Sequence, residues 1–162
     1  MAIHKLDLGE FDEIDYYLIA IHTSLEDYRL AYFINQKLPV NLSKSENEIQ
    51  IKIKEGEINF SRFYYNDEEK TASWNLIQNI NEVIQIKDGD TQNLFSNVTM
   101  EVATKVYLLP EFKKVDYFLK IENNEDTLDI SNVQLILNTI ENVSTVYIVE
   151  TSLIKSKNNL IF

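Results

Sequence analysis

Three acidic residues are the side chains in this sequence that are best suited to catalytic chemistry. Glu111 and Asp116 lie close together in the chain, and Asp15 lies in an earlier segment, IDYYL at 14–18, that resembles VDYFL at 115–119. Two carboxylates in one cleft can act as general acid and general base. The sequence therefore allows a carboxylate-based, hydrolase-like enzyme that uses these three acids.

A structural role for the same region is the alternative interpretation. Glu111 follows Pro110, which suits the exit from a strand, and a carboxylate there can accept backbone N–H groups and close a turn. Tyr117 would then lie in the core with its hydroxyl hydrogen-bonded at an edge. The sequence favours this interpretation, because a motif of one proline and two acids often constrains folding.

Other catalytic and metal chemistries receive little support. The chain has no cysteine, which excludes disulfides, thiol nucleophiles and cysteine-based zinc sites. It has two histidines, His4 and His22; Ser24 and Asp27 follow the second, but no Gly-x-Ser-x-Gly elbow is present. Three glycines are too few for a phosphate-binding loop. We therefore expect no catalytic triad, metal or cofactor.

Length and charge limit the class of protein. The 162 residues suit one domain spanning 1–162. Asp and Glu total 26 against 15 Lys and Arg, and the net charge of −11 opposes binding to nucleic acid or anionic lipid. The N-terminus lacks the pattern of a signal peptide, and no apolar run reaches the ~20 residues of a membrane span. We expect a cytoplasmic protein with no membrane association.

The N-terminal third predicts a strand followed by a helix. Residues 14–21 form an apolar run typical of a buried strand. Ser24 and Asp27 have the spacing of a capping box, and the helix should end before Pro39. The residues expected on its buried face are Leu25, Tyr28, Ala31, Tyr32 and Asn35, widened by Leu30, Phe33 and Ile34.

Residues 48–80 predict a three-stranded meander. Alternating apolar residues flank a two-residue turn at 55–56, which would set Ile53 opposite Ile58. A second turn at 66–70 would place Arg62 opposite Trp74, where a guanidinium can lie against the indole ring.

The C-terminal half predicts further strands and a second helix, so the chain as a whole is predicted to be of the α+β class. Strands are expected at 102–109, 115–121 and 143–149, with a helix between the last two, whereas 81–100 gives no clear pattern. In the second of these strands Val115 should share a face with Tyr117. The prediction is a mostly antiparallel mixed sheet of about six or seven strands with two main helices. The similarity of 14–18 to 115–119 suggests two β-α-β halves; shared composition is the alternative.

Aromatic side chains predict a surface. Phe63, Tyr64 and Tyr65 are consecutive, so at least one must face away from the apolar side of its strand. With Trp74 and the terminal Phe162, they form a candidate interaction surface, because exposed tyrosine is favoured in interfaces. The alternative is a second covering layer that buries them.

Residues 109–117, LPEFKKVDY, resemble the signature of the bacterial IPExxxVDY family. The matching residues are Pro110, Glu111, Val115, Asp116 and Tyr117, with Leu109 where the family usually has isoleucine. The length also agrees with the family. The resemblance implies no activity, ligand or catalytic residue, so it adds no functional role to these positions.

Two functional hypotheses follow. The favoured one is a non-enzymatic cytoplasmic protein that binds a protein partner, a second copy of itself or a small molecule, because catalytic constellations are missing and aromatic residues are abundant. The other is the carboxylate-based enzyme built on Glu111, Asp116 or Asp15.

Overall fold

The computed structural model describes residues 15–88, 99–123 and 128–162. The loop expected at 93–97, most of the polar break at 123–126, and His4 lie outside these residues. Within them the chain forms two helices, α1 (Asp27–Lys37) and α2 (Ile130–Leu137). Its strands are β1 (Tyr16–Thr23), β2 (Ser43–Lys44), β3 (Ile49–Ile53), β4 (Gly56–Phe60), β5 (Arg62–Asp67), β6 (Ala72–Gln78), β7 (Ile80–Asp88), β8 (Thr99–Tyr107), β9 (Tyr117–Asn123) and β10 (Val143–Ile148).

Six strands form the central sheet, in the order β10-β1-β9-β6-β5-β2. Every neighbouring pair in this sheet is antiparallel. The hairpins β3–β4 and β7–β8 form two further, two-stranded sheets. The predicted α+β class, a mostly antiparallel sheet of about six or seven strands and two main helices, is therefore confirmed.

Each helix connects two strands that run in the same direction. Strands β9 and β10 both pair antiparallel with β1, which lies between them, so they are parallel to each other and α2 joins them. Directions alternate across the sheet, so β1 and β2 are also parallel, and α1 joins them. This connectivity agrees with two β-α-β units.

The start of α1 differs from the prediction, whereas its end agrees. The N-cap is Glu26, without a side-chain capping bond, so the capping box from Ser24 is wrong. The Thr23 hydroxyl accepts the Leu25 N–H at 3.1 Å and closes a turn before the helix. At the other end Leu38 is extended, as expected for a residue that precedes proline.

The buried face of α1 is also rotated from the predicted one. Leu30, Ala31 and Ile34 are buried against the sheet. Tyr28 and Tyr32 are 61% and 58% exposed, so their assignment to the core was wrong. The aliphatic side chains pack against the sheet, whereas Tyr32 lies on the outer side of the helix, where its hydroxyl accepts a hydrogen bond from Gln36 Nε2 at 2.7 Å.

The first hairpin has the predicted face but a different register. Ile51 lies opposite Ile58 and Ile53 opposite Gly56, so the turn is at 54–55 rather than 55–56. Gly56 has a φ of 131°, which it can adopt without steric strain, and it begins β4. Because the register differs by two residues, the alternation of faces is preserved.

The predicted three-stranded meander is wrong. Strand β4 belongs to the β3–β4 hairpin, whereas β5 enters the central sheet. Ser61 separates them: its N–H donates to Gln78 Oε1 at 3.0 Å, and its carbonyl accepts the Gln78 N–H at 3.0 Å. Because of this break, the alternation of side chains between the two faces does not continue from β4 into β5.

The register between β5 and β6 changes accordingly. Tyr65 lies opposite Trp74, and Arg62 lies opposite Ile77 rather than Trp74. The difference from the predicted register is an odd number of residues, so it moves the side chains to the other face of the sheet. Phe63, Tyr65 and Trp74 consequently point toward the helices.

The central sheet is buried on both faces. One face packs against α1 and α2, and the other packs against the β3–β4 hairpin, residues 108–115 and the C-terminal segment. Tyr117 lies in the core as predicted, on the face that the helices cover, but Val115 precedes β9 and packs on the opposite face with Phe118, so the shared face predicted for Val115 and Tyr117 is wrong. The two faces thus hold separate apolar clusters.

In the part of the chain described above, neither helix has the length and apolar character needed to cross a bilayer.

Candidate functional site

Glu111 fastens the motif to the C-terminal segment. Pro110 opens a 3₁₀ turn, Pro110–Phe112, that brings the Glu111 carboxylate to residues 155–156. Oε1 accepts the N–H groups of Lys155 and Ser156, both at 2.8 Å, and Oε2 accepts the Ser156 hydroxyl at 3.0 Å. Partial burial opposes ionisation, but bonds from Ser156, from the backbone N–H of Glu111 itself and from Lys155 outweigh it and lower the pKa of this carboxyl.

Asp116 joins the ends of three strands. Its Oδ2 accepts the Thr23 N–H at 2.9 Å, beside the irregularity at the end of β1. Its backbone N–H donates to the Ile21 carbonyl at 3.2 Å, and its carbonyl accepts the Asn79 N–H at 3.0 Å. The carboxylate therefore satisfies the Thr23 N–H at the end of β1, next to the irregular pairing of β1 with β10.

Tyr117 lies in the core and satisfies its hydroxyl there. The hydroxyl donates to the Leu25 carbonyl at 2.8 Å, in the turn before α1. Burial, followed by the nearby charges of Asp27, Asp116 and Glu26, raises the pKa of this phenol. It remains neutral at physiological pH and acts as a donor.

Asn79, which the sequence did not single out, holds the motif together. It is fully buried between β6 and β7. Its Oδ1 accepts the Leu109 N–H at 2.9 Å, and its Nδ2 donates to the carbonyls of Phe112 and Val115 at 2.9 and 2.8 Å. One side chain therefore satisfies three backbone groups of the motif. The stretch 74–80 also contains Asn75 and Gln78, so the sequence carried no signal that set Asn79 apart.

The three candidate acids do not converge. Asp15 precedes β1 and Asp116 precedes β9, and these strands are antiparallel neighbours, with Tyr16 opposite Glu122. At a rise of about 3.3 Å per residue, the two acids lie about 23 Å apart along the sheet. Glu111 and Asp116 both direct their carboxylates to backbone N–H groups.

The described residues contain no cluster of three or more His, Asp or Glu side chains that could hold a metal ion. His22 lies beside Tyr147, with ring centroids 5.8 Å apart.

The aromatic residues of the predicted interaction surface divide between the two faces of the sheet. Phe63 and Trp74 are buried under the helices, and Tyr65 packs partly buried beside them. Tyr64 is 45% exposed on the opposite face. The five residues therefore do not form one surface.

Phe162 lies between two cations, on the face of the central sheet that lies away from the helices. Its ring centroid is 4.8 Å from the Arg62 guanidinium and 4.7 Å from Lys120 Nζ. Lys120 is almost fully buried; its ammonium donates to the Leu160 carbonyl at 2.8 Å and pairs with Glu122 at 2.7 Å. These contacts hold the last residues of the chain against the sheet.

A cleft on the helix-covered face has the character of a ligand site. Its volume is about 350 Å³, and it lies between the end of α1, the β5–β6 turn and α2. Trp74 contributes to its wall while being 96% buried, because its ring belongs to the core. We call this site the Trp74 cleft; its lining is Leu38, Pro39, Val40, Asp67, Lys70, Ala72, Trp74, Asn123, Leu128, Asp129, Asn132, Val133 and Ile136.

The Trp74 cleft combines apolar walls with a few polar groups. Asp129 Oδ1 accepts the Asn132 N–H at 3.2 Å and caps α2, and Asp67 Oδ1 accepts the Lys70 N–H at 3.1 Å. Two carboxylates and one ammonium therefore stand around apolar side chains. Ligand sites commonly combine apolar walls with a small number of oriented polar groups. Of the cleft residues, the sequence singled out only Trp74.

The chain matches no protein-family model, no curated protein and no solved structure.

Proposed function

We propose that this is a non-catalytic cytoplasmic protein that binds a small, largely apolar molecule in the Trp74 cleft. The observation that carries the proposal is the cleft itself: about 350 Å³ of space against a buried indole, within the usual size range of small-molecule sites. Its polar groups include more carboxylates than cations, and the chain carries a net charge of −11. The ligand class that fits is neutral or positively charged, with a compact apolar body.

The placement of the three acids supports a binding protein over the hydrolase-like alternative. Glu111 and Asp116 each accept backbone N–H groups, and Asp15 begins the strand at the far end of the sheet. A general acid and base must both reach one substrate. No observation favours the enzyme over the binding protein.

We also propose membership of the IPExxxVDY family, on the residues of 109–117. In this chain Glu111, Asp116 and Tyr117 each make a hydrogen bond that joins distant parts of the fold. A signature with such structural tasks would be required of every member, whatever its ligand.

The sole tryptophan makes the proposed function testable by fluorescence. Trp74 is the only tryptophan of the chain and lines the cleft, so its emission reports on occupancy directly. The purified protein is titrated with a library of neutral and cationic metabolites, and protein from a native lysate is examined by native mass spectrometry. We expect a retained or added compound to shift the Trp74 emission and raise Tm.

Two helix variants localise the binding. Ile136→Phe places a larger ring in the cleft, whereas Leu135→Phe adds the same ring on the outer side of α2, where Leu135 is 66% exposed. We expect Ile136→Phe to weaken binding at least tenfold and Leu135→Phe to leave it unchanged. Equal binding by both variants, or no compound that perturbs Trp74, would contradict the proposal.

A further inference from the structure

The β7–β8 hairpin extends from the body of the protein with one open face. At its base Asn81 Nδ2 donates to the Asn59 carbonyl at 2.6 Å. Val83 and Val106 pack against the apolar cluster on the face of the central sheet that lies away from the helices. Farther along the hairpin, Ile84 and Ile86 are 64% and 68% exposed. Its anchored base therefore carries an apolar outer portion.

The hairpin also has an unpaired edge. Within the described residues β8 pairs only with β7, in a regular antiparallel ladder from Ile80–Tyr107 to Asp88–Thr99. A two-stranded ladder is marginally stable in water, and its free N–H and C=O groups offer a template for a further strand.

The exposed side chains of β8 have a self-complementary charge pattern. Glu101, Ala103 and Lys105 alternate along one face of the strand, and all three are exposed. In antiparallel pairing about a two-fold axis through Ala103, Glu101 faces Lys105 of the second copy, and the reverse pair forms on the other side. Opposite charges directly across an antiparallel pair stabilise it.

We propose that β8 pairs with β8 of a second copy of this chain, forming a four-stranded sheet across a two-fold axis at Ala103. Each dimer would contain two Glu101–Lys105 pairs and would close the free edge of β8 on both copies. The exposed Ile84 residues would lie on the same face of that sheet. A two-fold interface uses the same surface of both copies, and this pattern satisfies that condition.

The other edge of the hairpin offers no comparable match. A two-fold axis through Ile84 would place Glu82 opposite Ile86 of the second copy and would form no ion pair. Charge complementarity therefore selects the β8 edge over the β7 edge as the interface.

Single-cysteine variants test the register, because the chain has no natural cysteine. Opposed residues in an antiparallel pair have Cα atoms about 4.5–5.5 Å apart, so Ala103→Cys should be cross-linked into a dimer by a short bismaleimide. Ile84→Cys lies on the same face but three strand spacings away, about 14 Å, and should cross-link far less. Equal cross-linking of both variants, or none of Ala103→Cys, overturns the register.

Charge exchange tests the interface in solution. By sedimentation, we expect a dimer for the natural chain, and Glu101→Lys or Lys105→Glu should raise its dissociation constant about tenfold. The double exchange E101K/K105E restores both pairs and should restore dimerisation. A monomeric natural chain, or a dimer insensitive to either reversal, overturns the proposal. An unchanged far-ultraviolet circular dichroism spectrum in each variant shows that the secondary structure is intact.

Discussion

Glu111 accepts hydrogen bonds from Ser156 on both of its carboxylate oxygens, from the backbone nitrogen at 2.8 Å and from the hydroxyl at 3.0 Å. The two residues are 45 positions apart. Their contact brings the 3₁₀ turn before β9 against the segment that follows β10. The acid in the sequence signature thus acts at long range on the fold.

Removing this charge should destabilise the protein moderately. Glu111→Gln retains one acceptor oxygen but turns an amide group toward donors, and we expect it to lower the free energy of unfolding by about 1 kcal/mol, since the group is partly exposed. Urea denaturation followed by Trp74 emission measures the change. The matched control, Glu150→Gln, alters an exposed acid that makes no side-chain cap at its 3₁₀ turn and should change little.

The stabilisation by Glu111 should disappear in acid. Its pKa is lowered in the folded protein, so its contribution is present above the pKa of the unfolded chain and is lost as pH falls through the folded value. The difference in unfolding free energy between the natural chain and Glu111→Gln should therefore shrink steadily on acidification below about pH 4. Urea midpoints over a pH series test this; a constant difference would show that the charge has no part in the stabilisation.

The buried phenol of Tyr117 should matter for both stability and titration. Tyr117→Phe leaves the Leu25 carbonyl without its donor, and we expect a loss of about 1 kcal/mol, whereas Tyr28→Phe, on the exposed face of α1, should be neutral. Because the folded pKa is raised, this stabilisation is present below pH 10 and is lost as pH rises through the folded value. Ultraviolet titration should show one fewer late-ionising tyrosine in the variant.

Asn79 should be the most sensitive polar position of the motif. Asn79→Ala would leave one buried N–H and two carbonyls without their partner, and we expect a loss of at least about 3 kcal/mol. Asn81→Ala removes two hydrogen bonds, both at an exposed site, and should lower the free energy of unfolding much less. Urea unfolding of both variants gives the comparison; equal losses would contradict the central role of Asn79.

The turn between β5 and β6 should be open to stabilisation. Thr71 has a φ of 47°, a left-handed conformation that a β-branched residue adopts with strain. Thr71→Asn should raise the free energy of unfolding by about 0.5–1 kcal/mol, because asparagine tolerates this region. Thr71→Ala, which retains the steric conflict at Cβ, should raise it less. A calorimetric Tm for each variant decides the matter.

Sequence reasoning was most successful where local patterns decide structure. Pro39 ends α1 through its effect on the backbone of Leu38. The last predicted strand, 143–149, forms β10 almost as expected. It failed in the meander, because Ser61 separates β4 from β5 and hydrogen-bonds to Gln78. The alternation of apolar and polar residues gives no sign of this contact. A three-residue change in register then reversed the face of Trp74 relative to Arg62.

For the candidate site too, the sequence identified some of the residues but not where they lie. Composition identified Trp74 as a residue of interest, but its place in the cleft depends on α2 packing on the same face of the sheet, where Val133 and Ile136 also line the cleft. The three acids could be recognised as residues, whereas their separation follows from the antiparallel pairing of β1 with β9.

The amino-acid order alone determined the approximate positions of the two helices and of β1, β9 and β10, because apolar periodicity, proline and turn residues act over a few neighbouring positions. The tertiary structure alone decided which strands share a sheet, what Glu111 and Asn79 bind, and where the cleft opens. Those outcomes depend on contacts between residues tens of positions apart, and such contacts form only when the two faces of the sheet are buried together.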